Sequence, residues 1–314
     1  MVGATGDLAQ RKLLPALYNL HREDLLPRQG LIVGAAPMQW TQEHFVHQAH
    51  EAIECYSRTG IDEALFSSFA ERLRFVPLDD AGDLEPVRAV LQCKRRLMYL
   101  AVPPSAFGAL LDSTSRAGIA DGTSIVIEKP FGHDLESAHA LNRTLHAVVP
   151  EERVYRIDHY LGKETLQNLL IFRFGNSVFE RIWSRDAINR VEITVAEDIG
   201  VDGRARLYEE IGAIRDIVQN HMFQVLSLMC MEPPVSFDAE SLRNEKVKVL
   251  RSIHTIDPRQ VVRGQYTRGM LNGKAVPGYR EEPGVAPDSS TETFAALRLH
   301  LDSWRWSGVP FLLR

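Results

Sequence analysis

Cysteine is scarce in this chain, and long apolar runs are missing. Cys55, Cys93 and Cys230 are widely spaced among 314 residues and form no CxxC pair, which argues against a disulfide framework or a zinc site. The longest apolar stretches, such as 31–38, fall far short of the roughly 20 residues that span a bilayer. The N-terminus lacks the basic region and apolar run of a signal peptide. We therefore expect a cytoplasmic protein without a membrane segment.

Excess positive charge is also lacking. The formal net charge is −5 and the isoelectric point is near 6.1, which argues against nucleic acid or an anionic membrane as the main partner. Apolar residues make up 45% of the chain and charged residues 25%, as in ordinary globular proteins. A chain of 314 residues favours two domains over one. Small molecules are the expected partners.

In the first half of the chain, short β-branched runs alternate with helical stretches. This pattern predicts a parallel sheet with crossover helices. Buried strands are predicted at 31–34, 96–102 and 124–128, and a helix at 134–148 with Asp134 as its cap. Ligands of such sheets gather at the carboxyl ends of the strands.

After about residue 154 the pattern changes. A helical segment is followed by strands near 190–196 and 261–267 and by a long amphipathic helix near 211–231. This mixture predicts an α+β domain.

A glycine-rich turn, Gly3-Ala4-Thr5-Gly6-Asp7-Leu8, precedes the first predicted helix. Its two glycines would let backbone N–H groups approach a pyrophosphate. A tight turn without a ligand is the alternative, but the position within alternating β/α units favours nucleotide binding. A strand of about five or six residues normally precedes such a turn, whereas here only Met1 and Val2 do. The coenzyme sheet is therefore expected to lack its central strand unless another segment fills the place.

Two further polar runs are candidate binding sites. Lys129 follows a predicted strand and could meet a phosphate or a sugar hydroxyl, or it is simply a surface lysine before Pro130. Within the run 156–164, His159 and Lys163 would share one face of an α-helix and could bind a phosphate together, with the Tyr160 hydroxyl as a further donor. A solvated helix start is the alternative.

His221 lies in the apolar stripe of the long helix. A histidine there is either a core imidazole bonded to a neighbouring carbonyl or a general base held by a carboxylate. Asp216 precedes it by five positions, roughly 140° around an ideal α-helix. The two side chains can therefore meet one ligand only if the helix is irregular or the ligand lies across its end.

Taken in order along the chain, these runs and several others resemble the glucose-6-phosphate dehydrogenase family. The most specific is Arg156-Ile157-Asp158-His159-Tyr160-Leu161-Gly162-Lys163-Glu164. The matching segments, which extend over nearly all of the chain, are 3–18, 128–132, 156–169, 215–221, 231–234, 263–266 and 308–311.

The resemblance implies a fold and an activity. An α/β Rossmann-like coenzyme domain over 1–156 would precede an α+β substrate and dimerisation domain over 157–314 with a large, mostly antiparallel sheet. The implied reaction oxidises glucose 6-phosphate at C1 to the 1,5-lactone and passes hydride to NADP or NAD, as the first step of the pentose phosphate pathway. A homodimer or homotetramer is expected if the sheet is complete.

The resemblance also implies roles for individual residues. By motif matching, His221 is the base and Asp158 orients it. Substrate would be bound by Lys129, His159, Tyr160, Lys163, Glu197 and Asp216. Coenzyme would be bound by Gly3, Thr5, Gly6, Asp7, Leu8 and Lys129. Direct hydride transfer requires no metal.

Three departures from the family pattern qualify this interpretation. The first strand is short, and the chain stops at Arg314 where the family continues with Gly-Lys, so it looks truncated at both ends. The family commonly has an arginine that pairs with the 2′-phosphate of NADP, but residues 35–40 contain none. Use of NAD is therefore also expected. The alternative function is a catalytically impaired remnant that binds nucleotide or a partner without turnover.

Overall fold

The computed structural model describes residues 1–91, 93–132, 134–201 and 203–314. The chain divides into two compact units, Met1–Ile157 and Asp158–Arg314, and each unit has apolar core clusters of its own. Within the described residues, no helix combines the length and the apolar character needed to cross a bilayer.

The first unit is built on a parallel sheet. Its strands are β1 Ile32–Ala36, β2 Leu73–Pro77, β3 Arg96–Leu100, β4 Thr123–Glu128 and β5 Val154–Ile157. β1 pairs with β2, and β3, β4 and β5 form a second ladder. Val2 joins the two ladders because it bridges Ala35 and Leu100 in parallel. With Val2 as the first strand, the order is the 3-2-1-4-5-6 of a Rossmann fold, which confirms the predicted class.

As expected, no full strand stands at the centre of this sheet among the described residues, but Val2 bridges the gap between the two ladders. The Val2 N–H donates to Tyr99 O at 2.8 Å, and Val2 O accepts from the Ala101 N–H at 2.8 Å. On the other side, the Gly3 N–H donates to Ala35 O at 2.8 Å. A very short segment thus satisfies both neighbouring strands, and the glycine loop keeps a fixed base.

Helices connect the strands of the first unit. They are α1 Leu14–Arg22, which continues the π-helical segment Ala9–Leu13, and then α2 Gln42–Tyr56, α3 Glu63–Ala70, α4 Glu85–Val90, α5 Phe107–Arg116 and α6 Leu135–Val148. The helix predicted at 134–148 is confirmed, since the Asp134 side chain accepts from the Ser137 N–H in a capping box. The strands β2 and β5 were not predicted, because Arg74 and Arg156 interrupt their short apolar runs.

The second unit contains a four-stranded sheet and a small hairpin. Its strands are β6 Val191–Ile193, β7 Val261–Gly264, β8 Gly269–Leu271, β9 Lys274–Val276, β10 Phe294–Leu299 and β11 Phe311–Leu313. The sheet order is β6-β11-β10-β7, in which β10 is antiparallel to both neighbours and β11 is parallel to β6. The predicted mostly antiparallel sheet is confirmed, although β6 and β7 are shorter than the predicted 190–196 and 261–267.

The described residues of the second unit also form five α-helices. They are α7 Glu164–Phe174, α8 Ser177–Ile182, α9 Ala205–Ala213, α10 Phe223–Cys230 and α11 Ala239–Arg251. Of these, α7, α10 and α11 contribute side chains to the apolar cluster of the sheet. The prediction of a single regular helix at 211–231 is wrong. Gly212 breaks it with φ 61° and ψ 176°, and Ile214–Met222 is π-helical before α10 continues. Met222 and Leu226 from this helix pack with Phe311 in the core.

Candidate active site

Buried His221 and half-buried Asp158 form a pair in the second unit. His221 Nδ1 lies 2.6 Å from Asp158 Oδ1, and the side chains are 1% and 11% exposed. An ionised carboxylate only accepts hydrogen bonds, so the imidazole donates from Nδ1 and presents Nε2 as an acceptor. Asp158 Oδ1 also accepts from the Tyr160 N–H at 3.0 Å, which fixes the carboxylate at the start of its turn. We call these two residues the dyad.

Aromatic side chains surround the dyad. The Tyr160 ring is buried and stacks on His221 with centroids 3.9 Å apart and planes at 17°. The His159 ring meets His221 edge-on at 4.7 Å. Flat packing on one side and edge contact on another hold the imidazole plane in a defined orientation.

His159 and Lys163 do not share a face of an α-helix as predicted. His159–Gly162 is a 3₁₀ turn, and Lys163 has extended backbone angles before α7 begins. The Lys163 ammonium nevertheless lies 3.5 Å from the centroid of the Tyr160 ring, a cation–π contact. Both side chains are exposed. The turn therefore brings exposed cationic and imidazole groups beside the dyad by a different geometry.

The π-helical segment Ile214–Met222 changes the angle around the helix axis between Asp216 and His221. Its hydrogen bonds run from residue i to i+5, so residues five apart lie closer to one face than the roughly 140° separation of an ideal α-helix. Asp216 is half-buried and His221 is buried in this segment. The irregularity thus allows both side chains to face one ligand.

A buried carboxylate fixes the start of this helix. The backbone of Glu292 accepts from the Ala213 N–H at 2.9 Å, and its side chain accepts from the Ile214 N–H at 3.1 Å. Gly212 makes room for it, since a Cβ at Gly212 would lie 2.6 Å from Glu292 Oε1. Two of the N–H groups that a helix start leaves without intrahelical partners are satisfied by this one residue.

The charges of Glu197 and Asp216 both affect the pKa of the Tyr208 phenol. Burial raises the pKa of Tyr208, and the charges of Asp216, Glu292 and Glu197 raise it further. The Tyr208 hydroxyl donates to Glu292 O at 3.4 Å. The charges of the two predicted sugar-binding carboxylates thus both raise the pKa of one phenol. Sequence reasoning missed Tyr208 and Glu292, because neither belongs to the runs singled out as motifs and Glu292 is distant from this helix in sequence.

In the first unit, the glycine loop closes tightly on the sheet. Gly3 has φ 85°, and a Cβ there would overlap the carbonyl of Ala101. The Gly6 N–H donates to Gly3 O at 3.1 Å, so the loop turns back before the helix begins. The close backbone approach and the following helix N-terminus suit the pyrophosphate of a dinucleotide.

The other predicted coenzyme residues lie around this loop. Thr5 O accepts from Gln10 Nε2 at 3.3 Å, Leu8 is half-buried, and Asp7 forms an exposed ion pair with Arg11 at 2.7 Å. Lys129 follows the carboxyl end of β4, joined to Pro130 by a cis peptide bond. In a parallel sheet this is the same edge as the glycine loop.

Three side chains have the composition of a metal site. One possible ligand atom each from Asp158, His159 and His221 lies within 4.8 Å of the others. Within the dyad, however, Nδ1 and Oδ1 share a hydrogen bond at 2.6 Å, so these two atoms already contact each other. The prediction that no metal is needed stays a prediction.

Models of one protein family match nearly the whole chain. The glucose-6-phosphate dehydrogenase NAD binding domain matches residues 1–168, and the C-terminal domain of glucose-6-phosphate dehydrogenase matches 170–314. The glucose-6-phosphate 1-dehydrogenase of Dickeya dadantii (strain 3937) is 43% identical, with 99% of this chain and 65% of that protein covered. The enzyme of Bacillus subtilis (strain 168) is 40% identical, with 99% and 66% covered. The chain thus spans about two thirds of the length of these relatives.

Solved structures of the same family superpose on this chain. The glucose-6-phosphate 1-dehydrogenase from Mycobacterium avium superposes with a TM-score of 0.89 at 41% identity, with 100% of this chain and 68% of that chain covered. A glucose-6-phosphate dehydrogenase in complex with its substrate glucose 6-phosphate gives a TM-score of 0.90 at 36% identity, with 100% and 67% covered.

Proposed function

Since the chain belongs to the glucose-6-phosphate dehydrogenase family, we propose that it oxidises glucose 6-phosphate at C1 to the 6-phospho-1,5-lactone. The observation that carries the proposal is the partly buried hydrogen bond of 2.6 Å between His221 Nδ1 and Asp158 Oδ1. Asp158 holds the tautomer in which Nε2 accepts a proton, and it stabilises the imidazolium that forms.

His221 is the proposed general base. Its Nε2 takes the proton of the C1 hydroxyl, so that the C1–O bond can become a carbonyl while hydride leaves C1. The stacked Tyr160 ring at 3.9 Å restricts the imidazole, which keeps Nε2 aimed in one direction. When bound, the nicotinamide coenzyme supplies the hydride acceptor.

His159, Tyr160 and Lys163 are the proposed phosphate ligands. Exposed His159 and Lys163 beside the dyad suit a dianion that remains in contact with water, whereas the Tyr160 ring is buried and stacks on His221. Asp216 and Glu197 are proposed to accept hydrogen bonds from the sugar hydroxyls, since carboxylates are acceptors at neutral pH.

The proposed coenzyme site is the loop of Gly3, Thr5, Gly6, Asp7 and Leu8 together with Lys129. The tight loop before a helix supports pyrophosphate binding. Residues 35–40 carry no cation for a 2′-phosphate, so the proposal includes NAD as well as NADP. Comparison of kcat/KM for the two coenzymes measures the preference.

We also propose a cytoplasmic homodimer or homotetramer that carries out the first step of the pentose phosphate pathway. Exposed apolar side chains on the strands of the second-unit sheet, Val262, Phe294 and Leu312, support self-association. Light scattering during gel filtration gives the mass directly, and a monomer at micromolar concentration would refute the dimer.

The test of the proposed activity is the absorbance of reduced nicotinamide after glucose 6-phosphate is mixed with the protein and NADP or NAD. The proposal predicts reduction that depends on both substrate and coenzyme. No reduction with either coenzyme, from protein with a cooperative melting transition, would support the alternative of a remnant without turnover.

A further inference from the structure

The run 263–266 matches the family pattern, but the proposed function assigns it no role. It extends from the end of β7 and contacts residues 289–293, a loop that leads into β10. Gln265 Nε2 donates to Ser289 O at 3.0 Å and to Thr291 O at 2.8 Å. We call residues 289–293 the anchor loop. One side-chain amide thus satisfies two of its backbone carbonyls and restrains its path.

Further hydrogen bonds hold the anchor loop from two sides. The Thr293 N–H donates to Gly264 O at 2.9 Å, and the Thr293 hydroxyl accepts from the Tyr266 N–H at 2.8 Å. From α9, Glu209 O accepts from the Thr291 hydroxyl at 3.0 Å. The loop is therefore attached both to β7 and to the helix that precedes the π-helical segment.

Glu292 lies in the anchor loop and binds the start of the π-helical segment. Its Oε1 accepts from the Ile214 N–H at 3.1 Å, and its backbone oxygen accepts from the Ala213 N–H at 2.9 Å. Its side chain is 11% exposed, and Arg263 Nη1 lies 3.9 Å from its Oε2. A carboxylate is a favourable partner for the N–H groups at a helix start. Glu292 therefore connects the run 263–266 to the backbone that carries the proposed base.

We infer that Glu292 is a positioning residue, which, held by the anchor loop, fixes where Asp216 and His221 stand. Both residues follow Ile214 in the same helical segment, so a shift at Ile214 moves both side chains. A displacement of about 1 Å in a reacting group can lower a rate about 10²-fold. The inference rests on the proposed roles of His221 as the base and of Asp216 as a sugar ligand.

Substitutions of Glu292 separate the hydrogen-bond acceptor from the space that the side chain fills. Glu292→Leu removes the acceptor of the Ile214 N–H, and kcat on glucose 6-phosphate should fall about tenfold or more. Glu292→Gln keeps a carbonyl oxygen and should hold kcat within about threefold of the unsubstituted protein. The matched control is Glu210→Leu, which removes an exposed carboxylate from α9 and should leave kcat nearly unchanged.

A double variant distinguishes positioning from a general loss of folded protein. If Glu292 acts by placing the base, Glu292→Leu should lower kcat little in the His221→Asn background, because no base is left to misplace. A general loss of folded protein would lower kcat by the same factor in both backgrounds. That equal factor, a near-normal kcat in folded Glu292→Leu, or an equal loss in Glu210→Leu would overturn the inference.

Exchange of the Ile214 amide with deuterium, followed by nuclear magnetic resonance, needs no turnover. It should be about tenfold or more faster in Glu292→Leu and unchanged in Glu292→Gln, since only the former loses the acceptor. Equal exchange rates in these variants would overturn the inference alone, whereas a protein that shows the difference but lacks dehydrogenase activity would refute the proposed function. If Glu292→Leu fails to fold, Gln265→Leu removes two donors to the anchor loop and should also lower kcat; an unchanged kcat there would overturn the inference.

Discussion

The glycine loop of the first unit and the dyad of the second unit are constructed from different parts of the chain. The loop is formed by backbone groups within a few residues of one another, anchored by Val2 and shaped by the positive φ of Gly3. The dyad is formed by two side chains 63 positions apart, held by a 3₁₀ turn and a π-helical segment. The glycine loop depends on glycines, whose missing Cβ permits the close backbone approach. The dyad depends on irregular helical segments, which orient its two side chains.

The largest effect is expected from a substitution that removes the base of the dyad and leaves the glycine loop unchanged. In His221→Asn the side-chain amide can still donate to Asp158 but cannot act as a base, so kcat should fall by about 10²–10⁴. The dissociation constant of the coenzyme, measured by calorimetry, should remain unchanged. A near-normal kcat would refute the assignment of the base.

The reverse experiment alters the loop. In Gly3→Ala the new Cβ would overlap the Ala101 carbonyl at a φ of 85°, which should lower the free energy of unfolding by about 1–3 kcal/mol and abolish tight coenzyme binding. Gly6→Ala is the matched control, because its Cβ would lie 3.3 Å from Gly3 O and Gly6 has no positive φ. Thermal melts of both variants measure the difference, and equal stability losses would contradict this account of the loop.

A third change tests whether the dyad also depends on a backbone feature. In Gly212→Ala the Cβ would approach Glu292 Oε1 at 2.6 Å, so the start of the π-helical segment must shift and kcat/KM should fall about tenfold or more. Gly273→Ala shares the positive φ, at 78°, but meets nothing within 4 Å. Steady-state kinetics should separate the two, whereas equal activities would show that the helix start does not position Asp216 and His221.

The smallest expected effect concerns the exposed phosphate side. Lys163→Ala removes the ammonium above the Tyr160 ring and should raise KM for glucose 6-phosphate about tenfold with little change in kcat. Unphosphorylated glucose is the control substrate, since it has no phosphate to bind. An equal loss of kcat/KM on glucose would show that Lys163 supports the site in some other way.

The same comparison explains what could be predicted from the sequence. The spacing of Gly3 and Gly6 predicts their loop, because the signal is local. Asp134 predicts the start of α6, because a cap acts within one turn. Asp158 and His221 were paired by family resemblance, since no local rule joins residues so distant. The π-helical Ile214–Met222 escaped prediction, because its cause includes Glu292, a tertiary contact. The place of Val2 between two strands escaped prediction, because it depends on bridges to Ala35 and Leu100, which are distant in sequence.

The most direct test of the dyad is the kcat of Asp158→Asn and His221→Asn separately and together. If Asp158 acts through His221, the double variant should be about as slow as His221→Asn, because the second substitution removes nothing that still works. Losses that multiply in the double variant would contradict the account, since the two residues would then contribute to catalysis independently.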